Sequence, residues 1–213
     1  FDSRRLFSNT IKSILLIFFI LLIDQFSKVF IKLNFPLTLY GSAALMDWGW
    51  FKILFVENKG MAWGAKISDF LPFISERVGK LVLTLVRIMA VPLIFYWLND
   101  SIKKRENNLL IISVSLVLAG AIGNLIDSIF YGYLFTDSYL SVALFNPGSG
   151  YESLLYGHVV DMLQFPMFTW EWPNWIPFFG GESFTFFEPV FNVADTAIST
   201  GAVSYTHLTL PTT

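Results

Sequence analysis

The sequence predicts an all-α polytopic membrane protein with four transmembrane helices. Three observations carry that prediction. Apolar residues make up 54% of the chain and charged residues only 14%, against about 25% charged in ordinary soluble domains. The mean hydropathy is +0.59. The 23 Phe and 7 Trp supply aromatic anchors of the kind found where lipid meets water. A net charge of −2 offers nothing for nucleic acid. The absence of Cys excludes disulfides, thiol nucleophiles and Cys-ligated zinc, and leaves the redox compartment undecided. Two His and no His-Glu-x-x-His argue against a dedicated His-rich metal site.

The first span is expected over about 11–31, behind Arg4, Arg5 and Lys12. The chain starts at Phe1, which reads as a truncated N-terminus. This apolar run is not read as a signal peptide, because it carries Asp24 and Lys28 with no small-residue cleavage site before them. Ser13–Ile23 alone is free of charge, shorter than the roughly 20 residues a bilayer needs. The span must therefore include Asp24 and Lys28, which lie at i, i+4 and can pair. Such a pair serves either packing or a nearby site. Segment 33–80 is mixed, with a β-leaning run at Trp50–Val56 followed by Glu57-Asn58-Lys59-Gly60. Asn and Gly at that spacing predict a tight turn.

The second span is expected over 81–98, with Arg87 inside it and a tolerated Pro92. Arg87 either snorkels to headgroups or faces the bundle. A short loop bears Lys103, Lys104 and Arg105. The third span, 109–126, is uncharged until Asp127, and its Gly120 and Gly123 permit close helix approach. Segment 128–189 is rich in Tyr, Phe, Trp, Pro and Gly without a long apolar run, which suits an insert at the membrane interface. The fourth span is expected over 190–203, its apolar run stopping at Val203. Residues 204–213 read as a non-native tail that does not continue a helix, so His207 is set aside. Residues 1–203 then form a single membrane domain.

Basic residues cluster before the first span and between the second and third. By the positive-inside rule both regions, and both chain ends, are cytoplasmic. Segments 33–80 and 128–189 then lie outside. Asp24, Asp127, Asp161, Asp195, Asn58, Asn124 and Asn192 converge on that one membrane face. A carboxylate near a helix centre in the bilayer costs about 2.5–3.5 kcal/mol on insertion scales, so it is a functional candidate by default. Two carboxylates held close share a proton, one acting as base toward water and the other as acid toward a carbonyl. No Gly-x-Ser-x-Gly elbow competes with that chemistry, although a Ser–Lys pair stays open. Simpler readings also stand: Asp195 as a helix cap, Asp161 as a solvated loop acid, Asp127 as a polar helix boundary.

Taken together, five motifs resemble lipoprotein signal peptidase, the type II signal peptidase of bacteria, in its Bacteroidetes-like version. They are Asp24-Gln25-Phe26-Ser27-Lys28, Glu57-Asn58-Lys59-Gly60-Met61-Ala62-Trp63-Gly64, Gly123-Asn124-Leu125-Ile126-Asp127, Val159-Val160-Asp161-Met162 and Phe191-Asn192-Val193-Ala194-Asp195. The resemblance covers nearly all of residues 11–203. It implies a single membrane peptidase domain with a small extracytoplasmic β-cradle, supplied mostly by residues 33–80, and a short interfacial helix. It implies an aspartic endopeptidase of the bacterial inner membrane that cleaves diacylglyceryl-modified prolipoproteins before the lipidated cysteine. Asp161 and Asp195 fall on the family's catalytic pair. Asp24, Lys28, Asn58, Gly60, Asn124, Asp127 and Asn192 fall on positions that shape the site and hold substrate. Neither metal nor cofactor is expected, and the partners implied are the lipidated precursor and membrane lipid, with the protein a monomer.

Two departures stand out. The family carries Arg after the Gly-Asn-x-x-Asp aspartate, where this chain has Ser128; Arg87 is the candidate substitute. The stretch between Asp127 and Asp161 is also longer than is typical, and forms either a lid or a docking surface. The rival classes are a proton-coupled transporter and a non-catalytic assembly factor. A transporter would spread charges toward both faces and often shows internal repeats, and neither is visible here.

Overall fold

The computed structural model describes residues 2–37, 44–60, 66–71 and 73–209. The elements follow in order: α1 (Asp2–Asn34), β1 (Met46–Asp47), β2 (Lys52–Asn58), α2 (Ile67–Phe70), α3 (Glu76–Lys104) and α4 (Asn108–Ile126). A π-helical turn, Asp127–Tyr131, carries α4 straight into a short α5 (Gly132–Leu134). Then come β3 (Val159–Gln164), β4 (Phe168–Glu171), β5 (Ser183–Phe186), β6 (Val190–Phe191) and α6 (Val193–Thr209).

Three stretches among the described residues are long and apolar enough to cross a membrane: Leu6–Asn34, Glu76–Lys104 and Asn108–Leu134. Their surfaces are inverted relative to a water-soluble bundle. On α1, Leu15, Phe18, Phe19 and Leu22 are exposed while Asn9, Ser13, Asp24, Lys28 and Lys32 are buried. Apolar side chains face outward where lipid is the solvent, and ionisable ones face the bundle interior. α3 starts at Ser75, whose hydroxyl accepts the Val78 N–H, and it runs through Pro92 without breaking. It stops at Arg105, which adopts a left-handed conformation.

Several expectations change. The expected fourth span corresponds to α6, whose 17 described residues stand beside the three membrane-length stretches. α6 also starts later than residue 190, because Val190 and Phe191 pair as a strand with β3. It does not stop at Val203 but continues to Thr209. The Thr206 hydroxyl bonds back to the Val203 carbonyl at 2.7 Å, and Tyr205 packs edge-on against Trp97 of α3. Polar side chains that satisfy themselves within the helix, plus one aromatic contact, extend it past the apolar run. Asp127 is no helix boundary either: it is fully buried, and helix continues on both sides of it.

α6 lies against α4, and glycine makes that possible. A Cβ on Gly120 would sit 2.2 Å from the Ala194 carbonyl oxygen, and one on Gly201 would sit 2.5 Å from the Ser113 carbonyl oxygen. The small residues let the two backbones touch, as membrane helix pairs commonly do.

The larger sheet has four antiparallel strands in the order β1–β2–β3–β6. Segment 33–80 supplies β1 and β2, while β3 comes from the insert and β6 from the stretch expected to open the fourth span. β3 is buried along Val159–Met162 and lies inside the sheet, between β2 and β6. Val160 and Met162 join Ile31, Phe55, Tyr131 and Phe135 in one hydrophobic core. Further along the insert, β4 and β5 form a separate two-stranded hairpin, with Trp175 and Phe178 exposed between its strands.

Gly120→Val is expected to destabilise the protein by about 1–3 kcal/mol, because the added side chain drives α6 off α4. Thermal unfolding checks it; an unchanged Tm would show that the close approach is dispensable.

Candidate active site

The site forms where the C-terminal half of α1, the C-terminal end of α4 and the N-terminus of α6 meet the sheet. Its base is an ion cluster. Lys28 Nζ lies 2.8 Å from Asp24 Oδ2 and 2.8 Å from Asp127 Oδ2, with all three side chains wholly buried. Its third donor direction reaches Asn124 Oδ1 at 3.2 Å. An ammonium has three N–H bonds, so each has a partner here. Gln25, which the sequence reading passed over, closes the cluster. Its amide donates to Asp127 Oδ1 at 2.9 Å and to Asp24 Oδ2 at 3.1 Å, and its oxygen accepts from Tyr131 at 3.1 Å. Asp24 Oδ1 accepts the Ala194 N–H of α6 at 2.9 Å. A carboxylate at that point meets the positive end of the helix dipole.

Above the cluster sit three asparagines and two aspartates. Asn124 donates from Nδ2 to Asp195 Oδ1 at 2.8 Å, and its oxygen accepts from Asn192 Nδ2 at 3.2 Å. That same Asn192 nitrogen reaches Asp161 Oδ1 at 2.7 Å. Asn58 Nδ2 donates to Asp161 Oδ2 at 3.1 Å. Asn192 and Asp195 also form a reciprocal cap: the Asp195 N–H meets Asn192 Oδ1 at 2.9 Å, and the Asn192 N–H meets Asp195 Oδ2 at 3.2 Å. This is the geometry of a capping box. The helix-cap reading of Asp195 is therefore correct, and the same carboxylate lines a cavity shared with Asp161, Asn58, Asn124 and Arg87. Asp161 is no solvated loop acid; it is 3% exposed. Burial, and then the negative charge of Asp195, push its carboxyl up to about 7 against the hydrogen bonds from Asn58 and Asn192.

Sheet register delivers Asp161 to this place. Asp161 pairs with Val56, and Asn58 with Val159, so the Asn58 side chain reaches the neighbouring strand's acid. The tight turn at Asn58 is present: Asn58 Oδ1 accepts the Gly60 N–H at 2.8 Å. Met61, Ala62, Trp63 and Gly64 of that motif lie outside the described residues. Arg87 faces the bundle and donates to the Ser128 hydroxyl at 2.6 Å.

A second buried ion cluster went unseen in the sequence. Lys32 is fully buried and pairs with Glu57. Ser138 accepts from Lys32 at 2.8 Å and donates to Glu57 Oε1 at 2.8 Å. His158 Nδ1 lies 3.1 Å from Glu57 Oε2. Burial works against the Glu57 charge, but the His158 hydrogen bond and the Lys32 charge outweigh it and hold the carboxyl down at about 2. The stabilisation from Glu57 is thus present above its ordinary 4.5 and lost only as pH falls toward about 2. The clue was periodic: Asp24, Lys28 and Lys32 recur every four residues, on one helix face.

The family model described as signal peptidase (SPase) II matches residues 16–210. The chain is 44% identical over 190 residues to a lipoprotein signal peptidase of Porphyromonas gingivalis, spanning 88% of this chain and 78% of that one. It is 34% identical over 180 residues to a lipoprotein signal peptidase of Amoebophilus asiaticus, spanning 84% and 69%. Among solved structures, a bacterial membrane enzyme at 1.9 Å resolution superposes with a TM-score of 0.58 at 23% identity, covering 95% of this chain and 94% of that one. A second, at 2.3 Å, gives 0.53 at 20% identity, covering 92% and 86%. These last two show a shared fold.

Lys28→Met leaves Asp24 and Asp127 buried without their cation, and is expected to cost about 3–5 kcal/mol. Adding Asp127→Asn to it is expected to recover part of the loss. Urea unfolding of the two variants checks both expectations.

Proposed function

The chain belongs to the signal peptidase II family, and we propose that it removes the signal peptide from diacylglyceryl-modified prolipoproteins, using Asp161 and Asp195 to activate water. The observation that carries this reading is Asn192. One side chain, at the start of α6, bonds to the Asp161 carboxylate and caps the helix turn bearing Asp195. The two acids are thereby held at one cavity by groups that cannot themselves titrate.

The roles divide by environment. Asp161, with its carboxyl raised to about 7, holds the proton at neutral pH and gives it to the scissile carbonyl oxygen. Asp195 takes a proton from water as that water attacks the carbonyl carbon. The C–N bond then breaks as Asp195 passes its proton to the leaving amide nitrogen and a hydroxyl of the tetrahedral gem-diol returns a proton to Asp161. Asn58, Asn124 and Asn192 keep the carboxylates aimed. Arg87 lines the same cavity and takes over the substrate contact that the family assigns to the position of Ser128. An apolar groove bordered by Phe184, Phe186, Phe187 and Pro189 reaches Asp161 from the hairpin side, and receives the lipidated end of the precursor.

The basic residues support a site on the outer face of the bacterial inner membrane. Asn9, near the start of α1, reaches Asn108, at the start of α4, at 3.5 Å. The N-terminus of α1 and the Lys103–Arg105 turn thus share the end of the bundle opposite the aspartates. By the positive-inside rule that end is cytoplasmic, with the protein acting as a monomer.

Asp161→Asn and Asp195→Asn are each expected to lower kcat for a lipidated prolipoprotein peptide by about 10²–10⁴-fold while the protein stays folded; near-normal turnover in either would overturn the assignment. Activity should fall as pH rises through about 7, where Asp161 loses its proton. Stability has the same sign. Between 3.8 and about 7 the folded state binds more protons at Asp161 than the unfolded chain, so this contribution shrinks as pH rises. Asp161→Asn should therefore have a higher Tm than the parent at pH 8. Arg87→Ala should raise KM more than it lowers kcat; unchanged kinetics would remove Arg87 from the site.

A further inference from the structure

A second pocket lies at the same end of the bundle, between α2, the first turns of α3 and the loop after β2. It is lined by Lys59, Lys66, Arg77 and Lys80, with Glu76 and Glu152 as its carboxylates. It shares no lining residue with the cavity that holds both aspartates, and it adjoins the groove bordered by Phe184 and Phe186 through Lys59 and Lys66. Its two carboxylates are already engaged. Glu76 pairs with Lys66 at 2.7 Å, and Glu152 pairs with Arg77 at 3.3 Å. Lys80 is different. Its side chain is 7% exposed, and its ammonium meets no hydrogen-bond partner among the described residues.

A buried ammonium with no partner is costly. The other deeply buried lysines of this chain, Lys28 and Lys32, are fully paired. Lys80 also stands near the start of a membrane-length helix whose Val78 and Val82 are exposed on the outside. The end of a membrane-length helix is where an anionic headgroup would meet it.

We propose that this pocket binds a phosphate-class oxyanion, with the Lys80 ammonium as its buried contact and Lys59 as its outer one. A phosphate offers several acceptor oxygens to donors arriving from different directions, and it suits lysine as a point charge. Two sources present that chemistry: the headgroup of an anionic phospholipid and free phosphate. The pocket would tie α2 and α3 to the membrane surface beside the site without touching the reacting atoms.

The test uses the full chain, purified in a zwitterionic detergent, and needs no peptide substrate. In one arm, sodium phosphate is titrated against sodium chloride at equal ionic strength. In the other, the protein is placed in nanodiscs of phosphatidylcholine with or without phosphatidylglycerol. Tm is read for the parent, Lys80→Gln, Lys59→Gln and Lys103→Gln, the last at the opposite end of α3. The expected result is a rise of about 5 °C for the parent in at least one arm, kept by Lys103→Gln, reduced by Lys59→Gln and lost in Lys80→Gln. A response to phosphatidylglycerol alone identifies the headgroup as the source, and a response to phosphate in detergent identifies the free ion. Lys80→Gln removes an unpaired buried charge, so without anion its Tm should equal or exceed that of the parent. Should Lys80→Gln not fold, the parent and Lys59→Gln decide. No anion-specific rise in the parent, or an equal rise in Lys80→Gln, overturns the proposal.

Discussion

One ammonium group carries the interior of this protein. Lys28 sits between Asp24 and Asp127 with no access to water, in a chain whose outer surface is apolar. Removing charge from water costs several kcal/mol per ion, and only near-complete pairing offsets it. The three groups therefore have little freedom to move separately. Asp24 is on α1, Asp127 opens the π-helical turn that continues α4, and the second oxygen of Asp24 holds the first turn of α6. A single electrostatic requirement thus sets the relative position of three helices.

The acids above inherit that rigidity through amides. Asn124 is bonded to Lys28 on one side and Asp195 on the other, and Asn192 passes the arrangement to Asp161. Amides neither gain nor lose protons near neutral pH, so the scaffold stays constant while the carboxyl groups titrate. Lys32 and Glu57 do the corresponding work one helical turn further on, joining α1 to β2 and hence to the strand that bears Asp161. Bundle and sheet are locked from the same face of one helix.

Much of this was legible in the sequence because ionisable residues are expensive in lipid. Asp24, Lys28, Asp127, Asp161 and Asp195 stand out against an apolar background, and the basic clusters supply a direction. The close approach at Gly120 was equally readable from composition alone. What escaped reading depended on pairing between distant segments. Nothing local shows that Val159–Gln164 is the centre of a sheet, since its partners are more than a hundred residues back in β2 and then in β6. Helix ends were misplaced for a related reason. The apolar run marks where lipid is, whereas the helix continues as long as hydrogen bonds are satisfied. That is how α4 crosses Asp127 and α6 passes Val203. Gln25, Ser138 and His158 are ordinary polar residues in sequence, and acquire meaning only from the ions they touch.

The capping of α6 by a carboxylate on α1 has a bearing on how the protein comes into being. The chain from α1 through α4 and the π-helical turn after it carries Asp24 and Asp127 but neither member of the pair proposed to hydrolyse peptide. Asp195 and the Asn192 that orients Asp161 come later in the chain, at the start of α6, whose first turn rests on Asp24. A chain translated only as far as α4 therefore lacks both acids of the proposed pair, and α6 must join the bundle before that pair is complete.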